Sequence, residues 1–207
     1  MIYEKTDASL PVRQGDIFLK LPRATFSLQR IPVVQGNDYV NKTWAEVVDS
    51  GSRVQGLVSI GVVPAIVISQ DCDAARAVEI SLCEIRPFGE VHTKAKEATK
   101  ISAWVSIITV QARSNPKWFY LPAENGLFDQ KMGVDFFSTF RLLREDLEAY
   151  RSFRPARLIE LAKQHFRERI SEFFRRYPYD EWYSLSREEF AAYREKNPDA
   201  QPFSWQQ

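Results

Sequence analysis

The sequence predicts an α+β protein, built as a small barrel or curled sheet with a helical hairpin packed on its end. Segments rich in β-branched and aromatic residues fill the first two thirds of the chain, whereas helical patterns dominate from Arg144 onward. Strands that come first and helices that come last are typical of the α+β class. No internal repeat is present, so solenoid and propeller architectures are excluded.

Apolar, β-prone segments separated by turn residues predict the strands. Residues 17–21 follow Gly15 and Asp16 and precede Pro22, so we expect a strand with a turn on each side. A second strand within residues 26–34 contains Pro32, which favours the edge of a sheet. Residues 56–69 predict two buried strands or one strand bent at Gly61 and Pro64, and residues 78–86 and 118–122 each predict a strand. Residues 134–143 predict a strand or a strand-to-helix passage, and residues 104–110 are ambiguous between strand and helix.

Alternation within residues 78–86 gives the strand two faces. Ile80 and Leu82 fall on one side, and Cys83 and Ile85 fall on the other. We therefore expect Cys83 to lie inside a strand, in a sheet shared with residues 65–69. Residues 35–56 are polar and contain glycine, which predicts a long insertion with one short helix near residues 44–48.

The last third of the chain carries the helical patterns. Apolar residues recur at spacings of three and four and predict one long helix, whose stripe comprises Ile159, Ala162, Phe166, Ile170, Phe173 and Tyr177. Pro155 suits the first turn of this helix, and Pro178 suits its end. A final helix from Ser186 to Glu195 is predicted by a capping box. We divide the chain into a sheet domain, residues 1–140, and a helical extension, residues 141–207.

Composition gives little indication of a partner. Of the 207 residues, 28 are basic and 27 are acidic, so bulk charge favours neither nucleic acid nor membrane. The N-terminus lacks the apolar core of a signal peptide, and the longest apolar run is too short to span a bilayer. Two cysteines make no disulfide framework. We expect a cytoplasmic protein that has no membrane partner and no cofactor.

The segment Ser69–Asp73, with the sequence SQDCD, is the strongest site candidate, because two carboxylates flank one thiol at the end of an apolar strand. Three interpretations are open. Asp71 or Asp73 caps a short helical turn while Cys72 points inward; the corner binds a ligand; or Cys72 is a nucleophile. Adjacent carboxylates disfavour the thiolate that a nucleophile requires, so the third is the weakest.

A zinc site would need Cys72, Cys83, His92 and an aspartate to converge. Zinc sites usually contain paired ligands two to four residues apart, and no such pair occurs here. We therefore predict no metal. His165 lies beside the apolar helical stripe, and both histidines are predicted to be packed or solvent-facing rather than general bases.

The segment from Arg141 to Arg176 is locally basic. It contains ten Lys and Arg residues against six Asp and Glu residues, a net charge of about +4. Either this is a solvated helical face, or it contacts phosphates and holds RNA or another nucleic acid through Arg175 and Arg176.

Two short motifs carry a resemblance to a known family. QGDIF at residues 14–18, followed by PAIVISQDCD at residues 64–73, resembles the PemK/MazF-like proteins, which are SH3-like β-barrels. The resemblance implies an SH3-like barrel with a long insertion and a C-terminal helical extension. Toxins of that family cut RNA without a metal and use an arginine just before the proline of this motif. Val63 stands there, and it cannot stabilise a developing phosphate charge.

A second resemblance covers most of residues 14–178. Four segments are similar, in that order, to a group of uncharacterised bacterial proteins with an S-Q-x-C-D signature: VISQDCD, WFYLP, VDF at residues 134–136, and RPARLIELAKQHFRERISEFFRR at residues 154–176. The group implies no activity.

Together these features predict a non-catalytic binding module of a bacterial toxin-like or phage-defence system. It would hold a protein partner or a nucleotide-like ligand through the residues Ser69, Gln70, Asp71, Cys72, Asp73, Arg175 and Arg176. The alternative is a ribonuclease toxin related to PemK/MazF, whose catalytic groups have moved to Asp71, Asp73 and Arg76.

Overall fold

The computed structural model describes residues 2–96, 98, 100–112, 115–175, 186–199 and 201. The chain forms two compact units, Met1–Phe173 and Phe174–Gln207. The strands are β1 (Tyr3–Lys5), β2 (Asp16–Thr25), β3 (Ile31–Gln35), β4 (Asp38–Lys42), β5 (Ser59–Val67), β6 (Glu79–Pro87), β7 (Trp118–Leu121), β8 (Met132–Leu143) and β9 (Ala156–Leu158). The α-helices are α1 (Trp44–Asp49), α2 (Asp71–Ala74), α3 (Phe88–Val91), α4 (Ile101–Ser106), α5 (Arg144–Ala149), α6 (Glu160–Phe174) and α7 (Arg187–Lys196).

One large antiparallel sheet organises the first unit. Its strand order is β1-β9-β2-β5-β6-β8-β7, and β3 pairs with β4 in a separate hairpin. The predicted α+β class is therefore confirmed. The sheet is curled, so that its two edge strands come close together. The Tyr3 hydroxyl on edge strand β1 donates a 2.8 Å hydrogen bond to the Pro122 carbonyl, just beyond edge strand β7. Within the described residues no strand pairing joins β1 to β7, so the sheet stays open.

Both faces of the sheet are buried at its centre. On one face Ile17, Ile66 and Cys83 pack with Phe166 and other residues of α6. On the other face the packed residues include Phe18, Ala65, Leu82, Leu147 of α5 and Val12 of the N-terminal segment. Two-sided burial fits the uninterrupted apolar run Ala65–Val67 at the inner end of β5, where all three residues are fully buried. The pairing of Cys83 with Ile66 confirms the prediction that Cys83 lies in a strand.

The segment after residue 140 contributes to the sheet as well as to the helices. The predicted boundary at residue 140 lies inside β8, and β9 inserts between β1 and β2. The prediction that the long helix begins near Pro155 is wrong, because residues 156–158 pair as a strand and α6 begins at Glu160. Pro178 and Tyr177 lie outside the described residues.

The structure also gives the secondary structure of the insertion, residues 35–56, and of the ambiguous segment, residues 104–110. Helix α1 confirms the short helix predicted in the insertion, and it begins with a capping box between Thr43 and Glu46. Strand β4 was not predicted, and it pairs with β3 as a hairpin. Residues 101–111 are helical, which resolves the ambiguity at residues 104–110. In the second unit, α7 begins at the predicted capping box of Ser186 and Glu189.

A buried ion network joins the first residue of β2 to Arg154 and Arg157, just before and in β9. The Asp16 carboxylate, at the first position of β2, contacts the guanidinium groups of Arg154 and Arg157. Arg154 also donates hydrogen bonds to the carbonyls of Asp7, Leu10 and Pro11. Burial raises the pKa of Asp16, although the Arg13 N–H and the two arginines oppose this shift. The network fixes the N-terminal segment against residues 154–157.

Candidate functional site

The corner that follows β5 is anchored to the neighbouring strand. The backbone N–H groups of Ile68 and Ser69 both donate to the Ser81 carbonyl, at 3.0 and 3.3 Å. The Ser69 hydroxyl accepts a 2.9 Å hydrogen bond from the Ser81 N–H. Ser69, which the sequence placed among the binding residues, thus holds the corner in position on β6.

Asp71 connects this corner to two distant segments. Its Oδ1 atom accepts a 2.9 Å hydrogen bond from the backbone N–H of Gln14, just before β2. Its Oδ2 atom accepts a 2.7 Å hydrogen bond from Nη2 of Arg167 on α6, and Nζ of Lys163 lies 3.7 Å from it. Each carboxylate oxygen therefore has a structural partner.

Gln14 completes the polar network. Its side chain is almost fully buried, and its Nε2 atom donates a 2.8 Å hydrogen bond to the Ile68 carbonyl. Its Oε1 atom accepts a 2.6 Å hydrogen bond from Nε of Arg167. The guanidinium of Arg167 is thus held by two of its nitrogens, between Gln14 and Asp71. Its third nitrogen, Nη1, has no hydrogen-bond partner within the described part of the chain.

This network forms one wall of a cleft of about 440 Å³ between the corner and α6. The lining residues are Gln14, Ile68, Gln70, Asp71, Cys72, Arg167, Ile170 and Ser171. Two isoleucines supply apolar surface, while two amides, a carboxylate, a thiol, a hydroxyl and a guanidinium supply polar groups. A few polar groups on an apolar lining are typical of small-molecule sites.

The position of Cys72 contradicts the interpretation in which its side chain points inward. Its side chain is exposed rather than turned inward. Its sulfur lies 3.8 Å from Oδ1 of Asp73 and 4.0 Å from Oε1 of Gln70. Ala74 takes the buried position of α2, and the N-cap residue Gln70 makes no capping hydrogen bond. The cap interpretation is wrong for Asp71, whose carboxylate bonds to Gln14 and Arg167 instead, while the described side-chain contact of Asp73 is with the Cys72 sulfur.

Of the residues proposed for relocated catalysis, Asp71, Asp73 and Arg76, only Asp71 lines the cleft. Asp73 and Arg76 are exposed, and neither lines the cleft. Nε of Arg76 donates a 3.1 Å hydrogen bond to the Cys72 carbonyl, which closes the turn after α2. Among the hydrogen bonds and ion pairs of the described residues, none joins Asp71 to Asp73 or to Arg76.

The residues considered for zinc have different environments. Cys83 is buried in the sheet, and this burial raises the pKa of its thiol, whereas Cys72 is exposed. The His92 ring packs against Phe88 and Trp118. Across the described ranges, no three side chains of His, Cys, Asp or Glu cluster as metal ligands. His165, the other histidine, is exposed on α6.

Much of the basic segment is engaged within the protein. Arg154 and Arg157 contact Asp16, while Lys163 and Arg167 contact Asp71. The guanidinium of Arg169 donates hydrogen bonds to three carbonyls, those of Ala112, Asn115 and Trp118. Arg175 is exposed just after α6, and Arg176 lies outside the described residues. The local excess of positive charge therefore serves largely internal contacts.

Sequence reasoning did not identify Gln14, Lys163 or Arg167 as site residues. Gln14 is the first residue of the QGDIF motif, whose function was assigned to the fold alone. Lys163 and Arg167 are four residues apart, so they share one face of α6, and this spacing beside an acidic corner was the available signal.

No protein-family model matches the chain, and no curated protein matches it. In the portion that the structure describes, no helix has the length and apolar character needed to cross a bilayer.

Proposed function

We propose that this protein is a non-catalytic binding module, and that its binding site is the cleft between the Ser69–Asp73 corner and α6. The observation that carries the proposal is the restrained guanidinium of Arg167. Gln14 and Asp71 hold it in one orientation, which leaves Nη1 available to a ligand. A donor that is fixed before binding loses little conformational entropy when the ligand arrives.

The contacts of the corner favour binding over catalysis. Both oxygens of Asp71 accept hydrogen bonds from the protein, so this carboxylate is poorly placed to take a proton from a substrate. The described hydrogen bonds of the Cys72 sulfur involve Gln70 and Asp73, and they include no histidine or cation that would promote a thiolate.

The size and lining of the cleft suit a nucleotide-like ligand. Small-molecule sites commonly measure about 300–1,000 Å³, and this cleft measures about 440 Å³. Arg167 would bind the phosphate, since guanidinium groups pair readily with phosphate oxygens. Ile68 and Ile170 would contact the base. A short segment of a protein partner that carries a carboxylate would use the same groups.

The cellular setting and the finer fold are part of the proposal. We assign the protein to a bacterial cytoplasmic toxin-like or phage-defence system, on the strength of the motifs QGDIF and PAIVISQDCD. We also regard the curled sheet as an opened relative of the SH3-like barrel. The support for this is the approach of its two edge strands at Tyr3 and Pro122.

Titration calorimetry with the four ribonucleoside monophosphates, and with inorganic phosphate, tests the ligand class. We expect at least one nucleotide to bind, with phosphate alone binding more weakly. Ser171→Trp should abolish binding by filling the cleft. His165→Trp, which adds the same side chain at an exposed position of α6, should bind normally. Equal binding by the two variants would contradict the site.

Expression in a bacterial host tests the absence of catalysis. We expect growth to continue and cellular RNA to remain intact when the wild-type protein is produced. Growth arrest that disappears with Asp73→Ala would overturn the proposal and support the ribonuclease alternative. Growth arrest that persists in Asp73→Ala and disappears in Ser171→Trp would instead place a toxic activity in the cleft.

A further inference from the structure

Strand β5 has an unpaired edge over its outer half. On one side, β2 pairs with β5 from Ser59 to Val63. On the other side, β6 pairs only with Ala65–Val67. Among the described residues, no strand pairs with the second edge of Ser59–Val63. This stretch therefore presents free backbone donors and acceptors to any strand that can lie beside it.

The composition of this edge lacks the usual protection against pairing. Natural edge strands are commonly blunted by charged residues, by proline or by bulges. Residues 54–70 contain no charged residue, and their one proline, Pro64, follows the unpaired stretch Ser59–Val63. Ile60 and Val62 are 66% and 73% exposed on one face, and their partners on β2 there are Ala24 and Pro22, which are also exposed. The outer end of β5 therefore combines an unpaired edge with an apolar face.

We propose that this edge pairs with the same edge of a second copy of the chain. In an antiparallel pairing centred on Gly61, Ile60 of one copy lies opposite Val62 of the other. Cross-strand apolar pairs of this kind stabilise antiparallel sheets. Gly61 faces Gly61 at the two-fold axis, where neither copy carries a side chain.

Charge selects a second copy as the occupant. A strand that is neutral over its whole length meets its own copy without like-charge repulsion, whereas a charged partner finds no opposite charge on residues 54–70. An isologous two-fold contact is also the commonest way in which soluble chains associate. The two large sheets would then continue into each other through β5. This inference concerns a different surface from the cleft and does not rest on the proposed function.

Sedimentation equilibrium over a range of concentrations tests the pairing. We expect the wild-type protein to dimerise, and we expect Val62→Lys to raise the dissociation constant at least tenfold. Val78→Lys is the matched control, because Val78 is 76% exposed and directly precedes β6, outside the unpaired stretch Ser59–Val63. The control should dimerise like the wild type. A monomeric wild type, or equal effects of the two substitutions, would overturn the proposal.

A mixing experiment tests the register. Ile60→Lys and Val62→Glu should each weaken the homodimer, because each replaces an apolar cross-strand pair with a charged residue opposite an apolar one. When the two variants are mixed, position 60 of one chain faces position 62 of the other, and opposite charges meet. We expect the mixture to recover dimers that neither variant forms alone. Failure to recover, with both variants folded by circular dichroism, would contradict the pairing centred on Gly61.

Discussion

The two ends of β5 have similar sequences and opposite environments. At the inner end, Ile66 is fully buried between β2 and β6, with α6 over one face. At the outer end, Ile60 lies on the same strand and is 66% exposed. Both ends are β-branched and uncharged. The comparison teaches that composition determines where a strand forms, whereas the elements packed on it determine which part of the strand becomes core.

The polar residues differ in the same way. Near the inner end, Asp16, Gln14 and Asp71 are paired with cations or backbone groups that come from distant parts of the chain. At the outer end, pairing is limited to β2 on one side. The inner end is therefore supported by many segments at once, and substitutions there should cost much more stability than substitutions at the outer end.

Removal of the buried carboxylate beside the inner end should have the largest effect. Asp16→Ala leaves Arg154 buried without its counter-ion, which typically destabilises a protein by about 3–5 kcal/mol. Denaturant unfolding measures this change. Asp73→Ala, an exposed carboxylate on the corner, is the control and should cost no more than about 0.5 kcal/mol. Equal losses would show that the Asp16 network does not hold the sheet.

Truncation of the same residue type at each end compares the ends directly. Ile66→Ala should lower the free energy of unfolding by about 2–5 kcal/mol, because it leaves a cavity in the core. Ile60→Ala should lower it by no more than about 0.5 kcal/mol when unfolding is measured on the dilute monomer. Losses of similar size would mean that the outer end is covered in solution.

Alkaline pH probes the buried thiol that pairs with the inner end. Burial raises the pKa of Cys83, whereas an unfolded thiol ionises near pH 8.5, so above that pH the unfolded state releases a proton that the native state keeps. The free energy of unfolding should therefore fall by about 1.4 kcal/mol per pH unit above pH 8.5. Cys83→Ala should remove this slope up to about pH 10, where tyrosines begin to ionise. An unchanged slope would contradict the assignment.

The smallest effect is expected at the exposed thiol of the corner. Cys72→Ser should change stability by no more than about 0.5 kcal/mol, because the hydroxyl remains in contact with water. A thiol reagent should label Cys72 in the native protein and label Cys83 only after unfolding. Fast native labelling of two thiols per chain would show that the inner end opens readily.

Patterns that span only a few neighbouring residues predicted much of this structure. Alternation placed Cys83 in its strand, and a capping box located the start of α7. The misses depend on distant segments. Strand β9 has only three residues and follows Pro155, so its identity as a strand comes from pairing with β1 and β2. Cys72 is exposed because Ala74 occupies the inward position, and residue type alone favours burial of a free cysteine.

The sequence predicted only those parts of the candidate site that are close together along the chain. Gln70, Asp71 and Cys72 lie consecutively in the sequence, and the corner that they form lines the cleft. The partners of Asp71 lie 57 and 96 residues away from it, at Gln14 and Arg167. Separations of this size leave no local pattern, because they arise only when the sheet and α6 have assembled.

The position of β9 between β1 and β2 has a consequence for synthesis on the ribosome. Tyr3 leaves the exit tunnel early, but its strand partner Leu158 is translated about 150 residues later. Throughout that interval β1 has no place in the sheet, and Asp16 lacks both arginines. A nascent chain therefore keeps β1 unpaired until β9 has been translated, and a product truncated before Ala156 keeps this unpaired strand permanently as a target for chaperones and proteases.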